Sequence, residues 1–322
     1  MHPLPLTILF VFALLWSACS NTSRHELHDP GELTAEQKVV MEEAVRLYAQ
    51  GEPYEEQLEI IKADPVMSFK FTRVLVLDID DMRRAREGGS RQWQMRSDRA
   101  IASAQGRSRR LSSDPLLRAA AGQRDVVGVR GVVAIDLMGE AAVPCLIEDL
   151  VGHRSTYWRF LGVELLARIG PPVLPALQKV AESSSPVERR TAAQVLGALP
   201  PSPEGLALLS RLALDPEYGV RAAALTAMAG GGPDEARMLR ERLVADDDHF
   251  VRRSAAKALV TYAEVETAEA VIAYLERCQR EEDADGSEAA QDVLQALAGK
   301  RGVRSVAAWQ KWLQTYRPDG DG

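Results

Sequence analysis

Five histidines and three cysteines are spread over 322 residues, and their spacing decides which chemistry they can support. A dinuclear metal centre built from His-Glu pairs needs several pairs facing one another. This sequence has one, His25-Glu26, while His153 and His249 each stand alone between helical segments. Glu281, Asp283, Asp285, Gly286, Ser287 and Asp292 fall at positions 1, 3, 5, 6, 7 and 12 of a calcium-loop pattern. The match is superficial: Glu281 replaces the first Asp, Glu288 sits where an apolar anchor belongs, and Asp292 is short for the closing ligand. A solvated acidic loop is the better reading. The run Asp246-Asp247-Asp248-His249 precedes Val251-Arg252 and reads as a turn ending in a helix N-cap. A glycine-rich phosphate loop, a nucleophile elbow and a paired-cysteine motif are all missing from the sequence. The expectation is a protein that binds rather than catalyses, with no metal, cofactor or small-molecule substrate.

Charge narrows the partners. The net charge of −7 argues against a general nucleic-acid binder, which needs a basic surface to neutralise phosphates. The charge is uneven, however. From Arg83 to Arg130 there are twelve arginines against Glu87, Asp98, Asp114 and Asp125, so this stretch is +8 and the remainder −15. Arg83, Arg84, Arg86, Arg107, Arg109 and Arg110 therefore form a candidate basic patch for anionic headgroups or an acidic partner. A solvated helical face, partly paired with the acidic remainder, is the plainer alternative.

Composition points to helices. Apolar residues make up 46% of the chain but aromatic residues only 6%, so Ala, Leu and Val carry most of the burial. Such side chains suit closely packed helices better than sheets. A period is visible when Arg130, Arg159, Arg189, Arg221 and Arg252 are aligned, with spacings of 29, 30, 32 and 31 residues. Seven residues later come Leu137, Leu166, Leu196, Met228 and Leu259. A second apolar segment follows each time, as in VPCLIEDL, VLPALQKV, GLALLSRLAL, RMLRERLV and AVIAYLERC. Pro144 and Pro175 stand near the starts of two of these, where a missing N–H costs little. A weaker sixth unit spans Ser287 to Trp312. Cys145 and Cys278 fall in separate repeats, too far apart for a disulfide, and read as small buried hydrophobes.

This layout, with segments such as VRRSAAKALVTYAEVETAEAVIAYL, resembles HEAT and phycobilisome-lyase-type HEAT-like repeats over about Val126 to Leu297. The resemblance implies an all-α solenoid of HEAT-like helix pairs, with about five clear repeats and degenerate caps. It also implies an Asp–Arg ladder between repeats. Asp215 with Arg221, and Asp246 with Arg252, are each six apart and would form it. The earlier units depart from that spacing, so the ladder is expected to be incomplete there.

Outside the repeats, Leu4 to Trp16 is apolar but too short to span a bilayer, which needs about 20 residues. With Ser17-Ala18-Cys19 it resembles a bacterial lipoprotein signal peptide, although Trp16 stands where leucine is usual and no Lys or Arg precedes it. The resemblance implies cleavage before Cys19 and its acylation. Ser20, in place of Asp, then points to the outer membrane facing the periplasm. The expected organisation is a signal peptide at 1–18, a polar tether at 19–33, a helical region at 34–125, repeats at 126–297 and a capping helix with its tail at 298–322. Thr34 and Gln37 predict a capping box for a helix at 35–50, with further helices from Pro53, from Phe69 to Arg86, at 93–106 and at 115–121. Trp309 and Trp312 predict a helix that covers the last repeat. The function implied is a membrane-tethered scaffold or adaptor for a protein partner. The alternative is an accessory factor to an enzyme, soluble and exported or intracellular.

Overall fold

Apolar residues at helical spacing can be buried only when one helix is laid on the next, and the described helices pack in this way. The computed structural model describes residues 30–87, 127–299, 301–303 and 305–317. Among them the regular elements are all helical. They fall into two compact units, one up to Ile169 and one from Gly170.

In the first unit, α1 (Ala35–Gln50) begins at the expected capping box. Thr34 Oγ1 accepts the Gln37 N–H at 3.2 Å, and Gln37 Oε1 accepts the Thr34 N–H at 2.8 Å. Gly51, at φ 74°, turns the chain out of this helix in a left-handed conformation that costs glycine little. Helices α2 (Glu55–Ala63) and α3 (Pro65–Glu87) follow. Helix α3 starts four residues earlier than the sequence suggests, because Asp64 caps it: one carboxylate oxygen accepts the N–H groups of Val66 and Met67, each at 2.9 Å. Tyr48, Tyr54 and Phe71 meet ring to ring at 6.1–6.4 Å and close the core of these three helices. The expected helices at 93–106 and 115–121 lie outside the described residues.

Helix α4 (Val127–Met138) packs on α3 through Gly131. A Cβ there would stand 2.6 Å from Ile79 Cγ1 and 3.3 Å from the Leu75 carbonyl oxygen, so only glycine lets the two backbones come this close. The apolar segment after it is a short helix, α5 (Val143–Leu146), running into a π-helical turn at Ile147–Val151. Helix α6 (Thr156–Ile169) completes the unit.

The second unit is a regular array: α7 (Leu174–Val180), α8 (Pro186–Ala198), α9 (Pro203–Leu212), α10 (Tyr218–Ala227), α11 (Pro233–Ala245), α12 (His249–Ala258), α13 (Val265–Glu281), α14 (Ala284–Ala298) and α15 (Val306–Leu313). Proline in the first turn starts α7, α8, α9 and α11. Alanine pairs at 192–193, 255–256 and 289–290 are buried and let the first helices of successive repeats lie directly against one another. Trp309 is fully buried and donates its indole N–H to Gln291 Oε1 at 3.0 Å, so α15 closes onto α14. Cys145 and Cys278 are buried free thiols in separate units.

Gly131→Val should lower the stability of the full chain by about 1–3 kcal/mol through overpacking against α3. Urea unfolding of the two proteins measures this. An unchanged midpoint would mean that the α3–α4 approach tolerates a side chain.

Candidate functional site

Among the described residues, Asp215, Asp246 and Arg252 are buried charges at the junctions between repeats, while Asp80 lies within α3 and Glu235 in the first turn of α11. Each junction is a short loop followed by a helix whose first turn carries an arginine. Arg221, in the first turn of α10, donates Nη1 to the carbonyls of Asp215 at 3.0 Å and Pro216 at 3.1 Å. Its other edge takes the carboxylate of the following junction: Nε to Asp246 Oδ2 and Nη2 to Asp246 Oδ1, both 2.9 Å. Arg189 does the same one repeat earlier, with the carbonyls of Ser183 and Ser184 and with Asp215 at 2.6 and 2.8 Å. Arg252 reaches the carbonyls of Asp246 and Asp247 and then Glu281 at 3.1 Å. In the first unit Arg159 caps the loop carbonyls of His153 and Arg154, and Arg73 forms a two-pronged pair with Asp149 at 2.6 and 2.8 Å.

This geometry corrects the pairing inferred from the six-residue spacing. Asp215 and Arg221 do share a junction, but they meet there through the Asp215 main-chain carbonyl. The carboxylate of Asp215 belongs to Arg189, and that of Asp246 to Arg221 rather than Arg252. A guanidinium folded back on its own loop presents Nη1 to the carbonyls, and its remaining fork points to the next repeat. The ladder reaches one repeat earlier than the spacing indicates, to Arg189–Asp215, and Arg73–Asp149 is a further two-pronged pair made by a helix before the aligned repeats. The Arg73 pair had no signal in the sequence, because its 76-residue separation exceeds the period.

Burial pushes the Asp215 and Asp246 carboxyls up, but the hydrogen bonds from Arg189 and Arg221, main-chain N–H donors and the guanidinium charges outweigh it. Both end below the usual carboxylate range. The carboxylates also organise their own loops: Asp215 accepts the Glu217 N–H at 2.9 Å, and Asp246 the Asp248 N–H at 3.0 Å. Asp248 in turn caps α12, as its sequence position indicates.

Other candidates separate clearly. Glu281 to Asp292 is not a loop: Glu281 ends α13, Asp283 caps α14, and Asp285 to Asp292 lie within that helix. Among the described residues no group of three His, Cys, Asp or Glu side chains could hold a metal ion. A recess of about 210 Å³ lies beside α8 and α9, lined chiefly by Leu174, Leu196, Pro200, Leu206 and Leu209. Its one side-chain hydroxyl, Ser202, accepts the Gly205 N–H and so caps α9. Arg83, Arg84 and Arg86 fall in the last turns of α3, their side chains outside the described residues, as are Cys19, Arg107, Arg109 and Arg110 entirely. No single described helix is long and apolar enough to cross a membrane.

Residues 143–229 and 206–298 match the family model of HEAT repeats. This part of the chain carries HEAT repeats, and the fold is an all-α solenoid of stacked helix pairs. Repeats of this kind commonly mediate protein interactions. Comparison with curated proteins gave no match, nor did comparison with solved structures.

Two measurements test the ladder. A double-mutant cycle on Arg221→Ala and Asp246→Ala should give a coupling of about 1–3 kcal/mol, and the same cycle on Arg221 and Asp215 a smaller one. The reverse order would restore the pairing within a junction. The depressed carboxyls also fix a pH dependence. Their stabilisation is present in full above the unfolded carboxyl value of about 3.9 and is lost as pH falls through the lower folded values. Asp246→Asn should therefore be less stable than the parent at neutral pH, with the gap narrowing below about pH 4. Urea midpoints across that range read it out, and a gap that widens in acid contradicts the assignment.

Proposed function

We propose that the chain is a protein-interaction scaffold or adaptor, held at a bacterial cell envelope through a lipidated Cys19, and that it binds without catalysing. The observation that carries the binding half is a repeat array whose junction arginines and aspartates are paired with one another while large apolar side chains stay on its surface. Phe160 is 62% exposed in the first unit, and Leu214 is 60% and Val244 57% exposed in the second. Isolated exposed apolar residues are ordinary; several on an array made of interaction repeats are more informative. The tether half rests on Ser17-Ala18-Cys19 behind a short apolar run. In this reading the acylated cysteine holds the chain at the outer membrane, and the repeats face the periplasm to meet a protein partner. A single acyl chain anchors weakly, so stable attachment calls for the multiple acylation of the lipoprotein pattern.

Cys19→Ala should abolish labelling by a fatty-acid analogue in cells and move the protein out of the membrane fraction. Unmodified protein that takes up no label would remove the anchor from this reading and leave the scaffold to be tested by in-cell crosslinking.

A further inference from the structure

The second unit carries one surface where exposed aromatic rings and unpaired cations come together. Tyr218 opens α10 and Phe250 lies in the first turn of α12, the equivalent helix of the next repeat. Their rings meet edge to face at 6.3 Å, yet Tyr218 remains 49% exposed and Phe250 42% exposed. Such a pair usually forms to bury its faces, and here the faces are left open to solvent.

Charge is arranged around the rings. Arg253 stacks its guanidinium over Phe250 at 5.5 Å and is ion-paired with Asp285. Lys257 is exposed and stands seven residues beyond Phe250 on the same face of α12. On the other side Arg190 of α8 lies alongside Gly219, its Nη1 3.7 Å from where a Cβ would be, with Glu217 Oε1 3.9 Å from the same point. Neither Arg190 nor Lys257 forms an ion pair among the described residues. A chain with a net charge of −7 therefore presents, at this place, two aromatic rings flanked by three cations, with the carboxylates of Glu217 and Asp285 beside Arg190 and Arg253.

We infer that this strip, made of Tyr218, Phe250, Arg190, Arg253 and Lys257, docks a short acidic segment of a partner protein that carries an aromatic or proline side chain. The inference rests on the scaffold reading and names its partner's chemistry. An apolar ring of the segment would lie in the angle between Tyr218 and Phe250. Its carboxylates would meet Arg190 on one side and Lys257 on the other, with Arg253 free to turn from Asp285 to the ligand. The small size of the strip selects a segment over a folded domain or a second copy, since stable interfaces bury about 1,600 Å² in all and two half-exposed rings supply a small part of that. Aromatic and arginine anchors carry most of the energy in contacts of this kind.

The test uses the full chain and a display library of short random peptides. Enriched peptides should combine carboxylates with an aromatic or proline residue, and the affinity of the best of them should weaken as salt is raised. Tyr218→Ala with Phe250→Ala, and separately Arg190→Glu with Lys257→Glu, should each reduce that affinity at least about tenfold. Both pairs alter exposed side chains, and circular dichroism checks that helicity is kept. If the aromatic pair unfolds the chain, the charge reversal alone decides. Basic enriched peptides, equal binding to the variants, no enrichment, or concentration-dependent self-association lost in the same variants would each overturn the assignment. The scaffold reading fails on different grounds, when in-cell crosslinking from other surfaces of the lipid-anchored chain captures no partner protein.

Discussion

The regular part of this molecule depends on what one guanidinium can do at once. A loop between two helices leaves carbonyls without partners, and burying them would cost about 1–3 kcal/mol each. An arginine from the following helix folds back to satisfy two of them. Its remaining edge is then held pointing at the adjacent repeat, where a single carboxylate takes it with two parallel bonds. The same residue thus completes a loop and clamps the junction beyond it. The carboxylate is bound in the same way, because it also accepts a main-chain N–H of its own loop. Removing either partner leaves groups stranded on both sides, so the consequences reach past a single contact.

With polar obligations met at one edge, the interior can be plain. Alanine and glycine occupy the places where helices approach most closely, as at Gly131 against Ile79 or Ala192 and Ala193 in α8. Leucine and valine fill what remains. Buried aromatic rings include Tyr48, Tyr54 and Phe71 in the first unit and Tyr262, Tyr274 and Trp309 in the second, while Phe160, Tyr218 and Phe250 stay exposed.

Much of this was legible in the sequence, and the limits are physical. A period of about thirty residues, and helical spacing within it, depend on local patterns that survive in one chain. The capping box at Thr34, the cap at Asp248 and the prolines of α5 and α7 follow from steric and hydrogen-bond rules acting over a few residues. Pair identity did not follow. Spacing of six placed Asp215 beside Arg221 but could not say which group of Asp215 faced the arginine, and that choice is made by the next repeat. Arg73 and Asp149 carry no periodic mark at all. The aromatic strip was missed for a related reason: Tyr218 and Phe250 lie three and two residues before their arginines, so alignment sets them in different columns although the fold brings them together.

The last rung is made differently from those before it. Glu281 stands where Asp215 and Asp246 stand in earlier junctions, and it shares itself between Arg252 and Arg277. Arg252 keeps a buried Nε with no hydrogen-bond partner, and Glu282 holds the left-handed φ of 57° that L-residues avoid. In a one-dimensional stack, each junction sets how far a local opening travels. This stack carries a one-pronged carboxylate rung at Arg252 beside two-pronged ones at Arg189 and Arg221. The polar clamp is lighter there, and the last repeat is held instead by apolar burial at Ala289, Ala290, Leu294 and Trp309.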